Sequence, residues 1–178
     1  GYRPGAIAKH GFGPEEVAAK RPGIIYVNLS AYGHVGPWST WRGFDSLVQS
    51  ATGIVHEGMI ESGTNKPCPL PCQALDHATG YLAAFGAMIA LKRRLEEGGS
   101  WMVRVSLAQT GKWFDDLGRI EGLKTKKPAR VEISDLLEKH DSPFGVIEHV
   151  RPPENFSETQ PYWSTGSVPL GSDEPRWQ

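Results

Sequence analysis

The sequence predicts an α/β fold: a partial Rossmann-like parallel sheet with flanking helices and an extended C-terminal arm. Three observations carry that expectation. The β-branched run IIYVNLS at 24–30 reads as a buried strand, and the long apolar segment at 76–97 reads as a helix. WMVRVSLAQ at 101–109 alternates Trp101, Val103, Val105 and Leu107 against Arg104 and Ser106, as a strand does. Helix and strand thus alternate up to residue 117, the pattern of a parallel sheet covered by helices.

Taken in order, Pro14 followed by EEVAAK has the chemistry of a helix start, with proline at the first position and acids in the first turn, so a helix is expected over 14–20. Gly23 ends it, and the strand at 24–30 follows. That strand empties into SAYGHVGPW at 30–38, where Gly33, Gly36 and Pro37 exclude regular structure and leave a backbone that a ligand can approach closely. Loops at the carboxyl ends of strands in open α/β sheets are where ligands usually sit. Phe44, Leu47, Val48 and Ala51 recur at helical spacing, and 53–74 has no period and reads as a loop.

Asp76 is the candidate N-cap of the long helix, whose middle, YLAAFGAMIAL, is apolar on nearly all sides and is therefore expected to be buried. A short helix is expected over 107–117. KTKKPAR reads as a solvated basic linker, placed at 118–130, between a core at 1–117 and a C-terminal part at 131–178. In that part ISDLLEKH reads as a short helix, FGVIEHV as a strand, and the last 28 residues as an arm packed through Trp163 and Trp177.

Composition excludes several functions. Nineteen Lys and Arg, scattered along the chain, stand against 20 Asp and Glu, so the basic footprint of a nucleic-acid binder is missing. The longest apolar run, Tyr81 to Leu91, is shorter than the ~18 residues of a membrane-spanning segment. Cys68 and Cys72, in CPLPC, are too few for a disulfide scaffold and lack the partnering pair a zinc site wants, so no metal and a reducing, cytoplasmic setting are expected. Opening on Gly1 rather than Met, the chain reads as cut from something longer.

On its residues alone, Asp76 admits two roles. An aspartate at a helix N-terminus satisfies orphan amides; it can also be a nucleophile, held ionised by the helix dipole and left poorly hydrated by apolar surroundings. Position does not choose between them. The adjacent His77 points elsewhere on a helix and is read as a bystander or orienter.

Several blocks, in order, bear on that choice: YRPG at 2–5, IIYVNLSAYGHVGP at 24–37, RGFDSLVQSATG at 42–53, ALDHATGYLAAFGAMIAL at 74–91 and VRVSLAQ at 103–109, with SETQPYWSTGSVPLGSDEP near the end. Together they resemble successive signatures of class III CoA-transferases, the family of formyl-CoA and carnitine CoA-transferases, to which α-methylacyl-CoA racemases are related. The resemblance implies that Asp76 is the catalytic nucleophile. It would pass through a mixed anhydride and an aspartyl-CoA thioester to move CoA from an acyl-CoA to a carboxylic acid. It also implies that Ser30, Ala31, Tyr32, Gly33 and His34 run beside the CoA chain and acyl group, and that Arg3 lies near the CoA phosphates. CoA and acyl-CoA are then substrates, and the partner is a second copy in a homodimer or another subunit.

Two departures shape the expectation. His34 stands where transferases of the family often carry Gln or Glu, and Phe44 stands where the racemases carry a histidine, which removes one base from a racemase reading. Family members also carry a nucleotide-binding segment before YRPG and a small domain after the VSL strand. A noncatalytic binding or assembly module is therefore the competing expectation.

Overall fold

A computed structural model describes residues 5–120, 126 and 128–176, and the chain divides into two compact units at Ile120 and Glu121. The first unit begins with a 3-10 turn at Ala8–His10 and helix α1 at Pro14–Lys20, with Glu15 and Glu16 in its first turn. Strand β1, Ile25–Ser30, leads through a loop to α2 (Asp45–Ala51), α3 (Ile54–Glu61) and the long α4 (Ala74–Glu97). Strand β2, Trp101–Ser106, then pairs parallel with β1 in the register Ile25 to Trp101 through Ser30 to Ser106, and α5 follows at Leu107–Asp116. This two-stranded parallel sheet with flanking helices bears out the α/β expectation.

Side chains explain why these elements meet. A Cβ on Gly86 would lie 2.6 Å from Val103 Cγ1, so glycine lets α4 lie close on β2. Arg94 Nη1 donates to Gly23 O at 2.8 Å and ties the end of α4 to the entry of β1. The buried hydroxyls of Thr79 and Thr110 lie 2.7 Å apart and join α4 to α5. Val48, Leu75 and Leu107 form the buried apolar cluster, with Ala31, Tyr32, Ile54, Ala108 and Phe114 packed against it.

Three expectations for this unit are corrected. Residues 54–61 are helix, not loop: Gly58 sits where a Cβ would lie 2.2 Å from the carbonyl oxygen of Cys68, so the following loop folds back onto α3 across a glycine. Asp76 is not the N-cap of α4 but its third residue, Gln73 being the cap. Nor is α4 buried on all sides, since Phe85, Met88 and Leu95 are exposed and only Leu75, Thr79 and Ala90 are buried. By length and composition alone α4 meets the requirement for a membrane-spanning helix. Its hydroxyl pair and its close packing on β2 are features of a helix seated in a protein core.

Gly58→Ala is expected to destabilise the fold by about 1–3 kcal/mol, because the obstructing atom is backbone and cannot rotate away. Urea unfolding measures it; a midpoint unchanged from the parent would refute the close approach.

The second unit contains a 3-10 helix at Arg130–Leu136 and an antiparallel hairpin of β3 (Leu137–Ser142) and β4 (Gly145–Val150). Strand β4 agrees with the sequence reading, but LEKH is strand rather than the end of a helix. Pairing with β4 across the two-residue turn at Pro143 and Phe144 overrides its helical composition. The C-terminal arm has no regular structure among the described residues. It packs on the hairpin at Gly166, where a Cβ would lie 3.1 Å from Asp141 O; Trp163 is 59% exposed, and Trp177 lies outside the described residues.

Candidate active site

The loop after β1 is built to hold its shape. Ser30, buried at the carboxyl end of β1, accepts the Gly33 amide on its Oγ at 3.1 Å, and Gly33 takes φ 97°, a conformation glycine adopts without the cost a Cβ would bring. Ala31 O accepts the Ala108 amide at 2.9 Å, binding the loop to the start of α5. The ring of Tyr32 meets Trp38 and Trp41 edge-on, at centroid distances of 5.4 and 6.5 Å, and those two indoles stack at 5.1 Å.

His34 Nε2 lies 2.8 Å from Asn28 Oδ1; since a carbonyl oxygen only accepts, the ring carries its proton on Nε2. Burial, and then the positive charge of Arg104, lower the His34 pKa below its ordinary value, which favours this neutral ring. Gly33 and His34 line a cavity of about 410 Å³ together with Arg104, Ser106, Gln109, Thr110, Leu82 and Trp113. It stands at the carboxyl ends of both parallel strands, where open α/β sheets bind ligands, and it offers one guanidinium and several hydroxyl and amide groups. A larger cavity of about 570 Å³ is lined by Ile54, Leu70, Phe114 and Trp38 among others and contains none of residues 30–34.

Asp76 lines neither of these cavities. It is exposed in the first turn of α4, directly after the fully buried Leu75. Its backbone amide donates to Asp45 Oδ2 at 2.9 Å, and Gln49 Nε2 donates to the other oxygen of that carboxylate. Gln49 Oε1 in turn accepts the Leu70 amide at 2.8 Å. Asp45 and Gln49 are buried, so a polar chain with a buried middle runs from the loop before α4, through α2, to the amide of Asp76.

Partial burial, and then the neighbouring Asp45 carboxylate, raise the Asp76 pKa above the ordinary carboxylate value, with His77 pulling more weakly the other way. Solvent screens these effects because the side chain is exposed. A raised pKa means the folded state holds its proton more tightly than the unfolded chain. The resulting stabilisation is present below the ordinary carboxylate pKa and is lost as pH rises through the raised value. Asp45→Asn keeps an oxygen for the Asp76 amide while removing the charge, so Asp76 should titrate lower; carboxyl-carbon NMR reads this directly, and an unmoved midpoint would show that Asp45 exerts no such effect.

Of the residues expected at the site, the structure joins Ser30, Ala31, Tyr32, Gly33 and His34 in one loop. It connects them to the residue before Asp76 through the cluster of Val48, Leu75 and Leu107, against which Ala31 and Tyr32 pack. Arg3 lies outside the described residues. Sequence reasoning missed Asp45, Gln49 and Arg104. The first two sit at i and i+4 on α2, a spacing visible in the sequence but masked by the apolar residues beside it.

The model of CoA-transferase family III matches residues 1–116, which contain the whole parallel sheet, the loop and Asp76. The chain belongs to CoA-transferase family III. Among its relatives, the acetyl-coenzyme A transferase nodX of Hypoxylon pulicicidum is 32% identical over 152 residues, covering 83% of this chain and 24% of that one. The probable fatty acyl-CoA transferase Rv3272 of Mycobacterium tuberculosis is 34% identical over 106 residues, covering 60% and 26%. The crystal structure of Rv3272 in its orthorhombic form superposes with a TM-score of 0.56 at 29% identity, over 68% of this chain and 35% of that one. A CAIB/BAIF family protein from Brucella suis shares the fold at 20% identity with a TM-score of 0.57, over 82% and 39%. This family III chain spans about a quarter of the length of those curated relatives.

Proposed function

We propose that this chain forms the nucleophile-bearing part of an enzyme that moves CoA from an acyl-CoA to a carboxylic acid, with Asp76 as the catalytic residue. The observation that carries the reading is the setting of Asp76. A carboxylate whose basicity is raised by its own partial burial and then by the buried Asp45 carboxylate, with its side chain still exposed, heads the helix whose first turn packs with the loop 30–34. Higher basicity makes an ionised carboxylate a better nucleophile. Relatives named as succinyl-CoA:glutarate and (R)-2-hydroxy-4-methylpentanoate CoA-transferases are consistent with this chemistry.

An Asp76 oxygen attacks the thioester carbonyl and expels CoA thiolate, leaving a mixed anhydride. The thiolate attacks the aspartyl carbonyl, releasing the first carboxylate and forming an aspartyl-CoA thioester. The acceptor carboxylate displaces the thiolate from that thioester, and thiolate attack on the acceptor's carbonyl releases acyl-CoA and restores Asp76. Arg104, Gly33 and His34 line the cavity that would hold the CoA chain or acyl group, and a second polypeptide would cover the exposed apolar face of α4.

The competing reading, a noncatalytic module, is favoured by the absence of Asp76 from both cavities. Incubation with acetyl-CoA and succinyl-CoA followed by intact mass and hydroxylamine treatment separates the two. A CoA-sized adduct that hydroxylamine converts to a hydroxamate at Asp76 is the expected result, and no adduct with either donor counts against catalysis.

A further inference from the structure

The hairpin of the second unit gathers a group of side chains that CoA transfer does not use. Glu138 lies directly opposite His149 across the β3–β4 ladder, and His140 follows Glu138 by two residues on β3, so all three project from one face of the hairpin. His140 Nε2 is 3.4 Å and His149 Nε2 is 3.6 Å from the same oxygen, Glu138 Oε1, and one donor atom from each residue falls within 4.8 Å of the others. The two imidazoles stack at 5.0 Å with 21° between their planes.

Two details give this cluster a direction. Glu138 Oε1 is buried and makes no hydrogen bond among the described residues, although a buried carboxylate oxygen ordinarily has a partner. His149 Nδ1 lies 2.9 Å from Val150 O, and a carbonyl only accepts, so the proton of the neutral ring is on Nδ1 and the lone pair is on Nε2, the nitrogen nearer Glu138. A lone pair then faces a carboxylate oxygen, which is unfavourable until a cation comes between them. An imidazole held through its other nitrogen by a backbone carbonyl is also how metal-binding histidines are oriented.

We propose that Glu138, His140 and His149 form a binding site for a single divalent first-row transition ion, with Zn²⁺ the ion to test. Bonds of about 2.1 Å in a tetrahedral site place neighbouring donor atoms about 3.4 Å apart. The separations of 3.4 and 3.6 Å from Glu138 Oε1 match that edge. Two imidazoles and one carboxylate suit zinc and leave a fourth position for water or another ligand. The site escapes a sequence reading that makes LEKH helical: two residues apart on a helix, Glu138 and His140 diverge, whereas on a strand they share a face. It belongs wholly to the second unit and does not depend on Asp76 or on CoA transfer.

The test is calorimetric titration of the chelator-treated, dialysed full chain with ZnCl₂, alongside ¹⁵N NMR of the imidazoles. One ion per chain is expected, with the Nε2 resonances of His140 and His149 shifting as zinc is added while His149 keeps its Nδ1 proton. Glu138→Gln should weaken binding by about 10-fold or more, and the His140→Gln/His149→Gln double variant by about 100-fold or more. Absence of saturable binding, undiminished binding in the double variant, or Nε2 resonances in the parent protein that zinc leaves unmoved would each overturn the site. The NMR arm uses the unsubstituted chain, so it decides the matter even where a variant fails to fold.

Discussion

Replacing Asp76 with asparagine is expected to abolish the CoA adduct and to slow CoA exchange by about 10³-fold or more, because the residue proposed to form both covalent intermediates becomes an amide. The amide matches the carboxylate in size but its nitrogen lone pair is delocalised and neither terminal atom is an effective nucleophile. The variant is informative because the structural duty of the position rests on its backbone. The Asp76 amide donates to Asp45 Oδ2 at 2.9 Å, and the Asp76→Asn variant retains that backbone donor. Thermal unfolding should therefore stay within about 0.5 kcal/mol of the parent at a pH below the ordinary carboxylate value, where the exposed side chain is uncharged in both proteins. At higher pH the variant should be the more stable of the two. Partial burial, and then the Asp45 carboxylate, raise the Asp76 pKa, so the parent loses stability as pH rises above the ordinary carboxylate value, and the asparagine variant lacks that loss. Lost exchange with this pH signature separates a catalytic carboxylate from one that only holds the helix. Full exchange in the variant would remove Asp76 from the chemistry.

The parts of this fold that were legible in the sequence are those where local preference and tertiary packing agree. Ile25–Ser30 is β-branched and apolar and becomes the strand it resembles; Pro14 with Glu15 and Glu16 starts a helix as its chemistry requires. The failures have specific causes. Helix α3 was hidden because Gly58 reads as a breaker, while its actual use is to admit the Cys68 carbonyl. On α2 the apolar spacing of Phe44, Leu47, Val48 and Ala51 suggested the buried face, yet Phe44 and Leu47 are exposed and the buried residues are Asp45, Val48 and Gln49. A buried polar pair is invisible to hydrophobic periodicity because its reason for burial, acceptance of the Asp76 amide by an Asp45 carboxylate to which Gln49 donates, lies in a segment 31 residues away. Long α4 failed for the opposite reason: composition shows that its surface is apolar, not what covers it. For the proposed site, the loop 30–34 and Asp76 could be found through the family's blocks, whereas the electrostatic partner of Asp76 needed the fold.

Leu75→Ala is expected to cost about 2–5 kcal/mol of stability, since it removes a fully buried side chain from an apolar cluster of only three buried members. The two other buried members are poorly placed to collapse into the space. Val48 is β-branched and stiff on a helix, and Leu107 begins α5 directly after β2. Urea unfolding gives the loss, and a cost below about 1 kcal/mol would show that the cluster relaxes around the gap. The architecture also supplies an internal check. A Cβ built on Gly111 would lie 3.6 and 3.9 Å from the two methyl carbons of Leu75 and 3.2 Å from Ile54 Cδ1. In the parent, Gly111→Ala therefore meets a tight contact that offsets the helix-favouring effect of alanine, about 0.5–1 kcal/mol. In the Leu75→Ala background Ile54 can give way into the vacated space and the added methyl fills part of it, so the same substitution should restore some of the lost stability. The two changes should couple with a favourable sign by about 0.5 kcal/mol or more. Because Leu75 directly precedes Asp76 and shares its cluster with Ala31 and Tyr32, its truncation should also loosen the proposed nucleophile against the loop 30–34. Under conditions where Leu75→Ala remains folded, the Asp76 adduct should form more slowly, and adding Gly111→Ala should recover stability more fully than it recovers the rate. Equal recovery of both would mean that the cluster supports the fold without positioning the carboxylate.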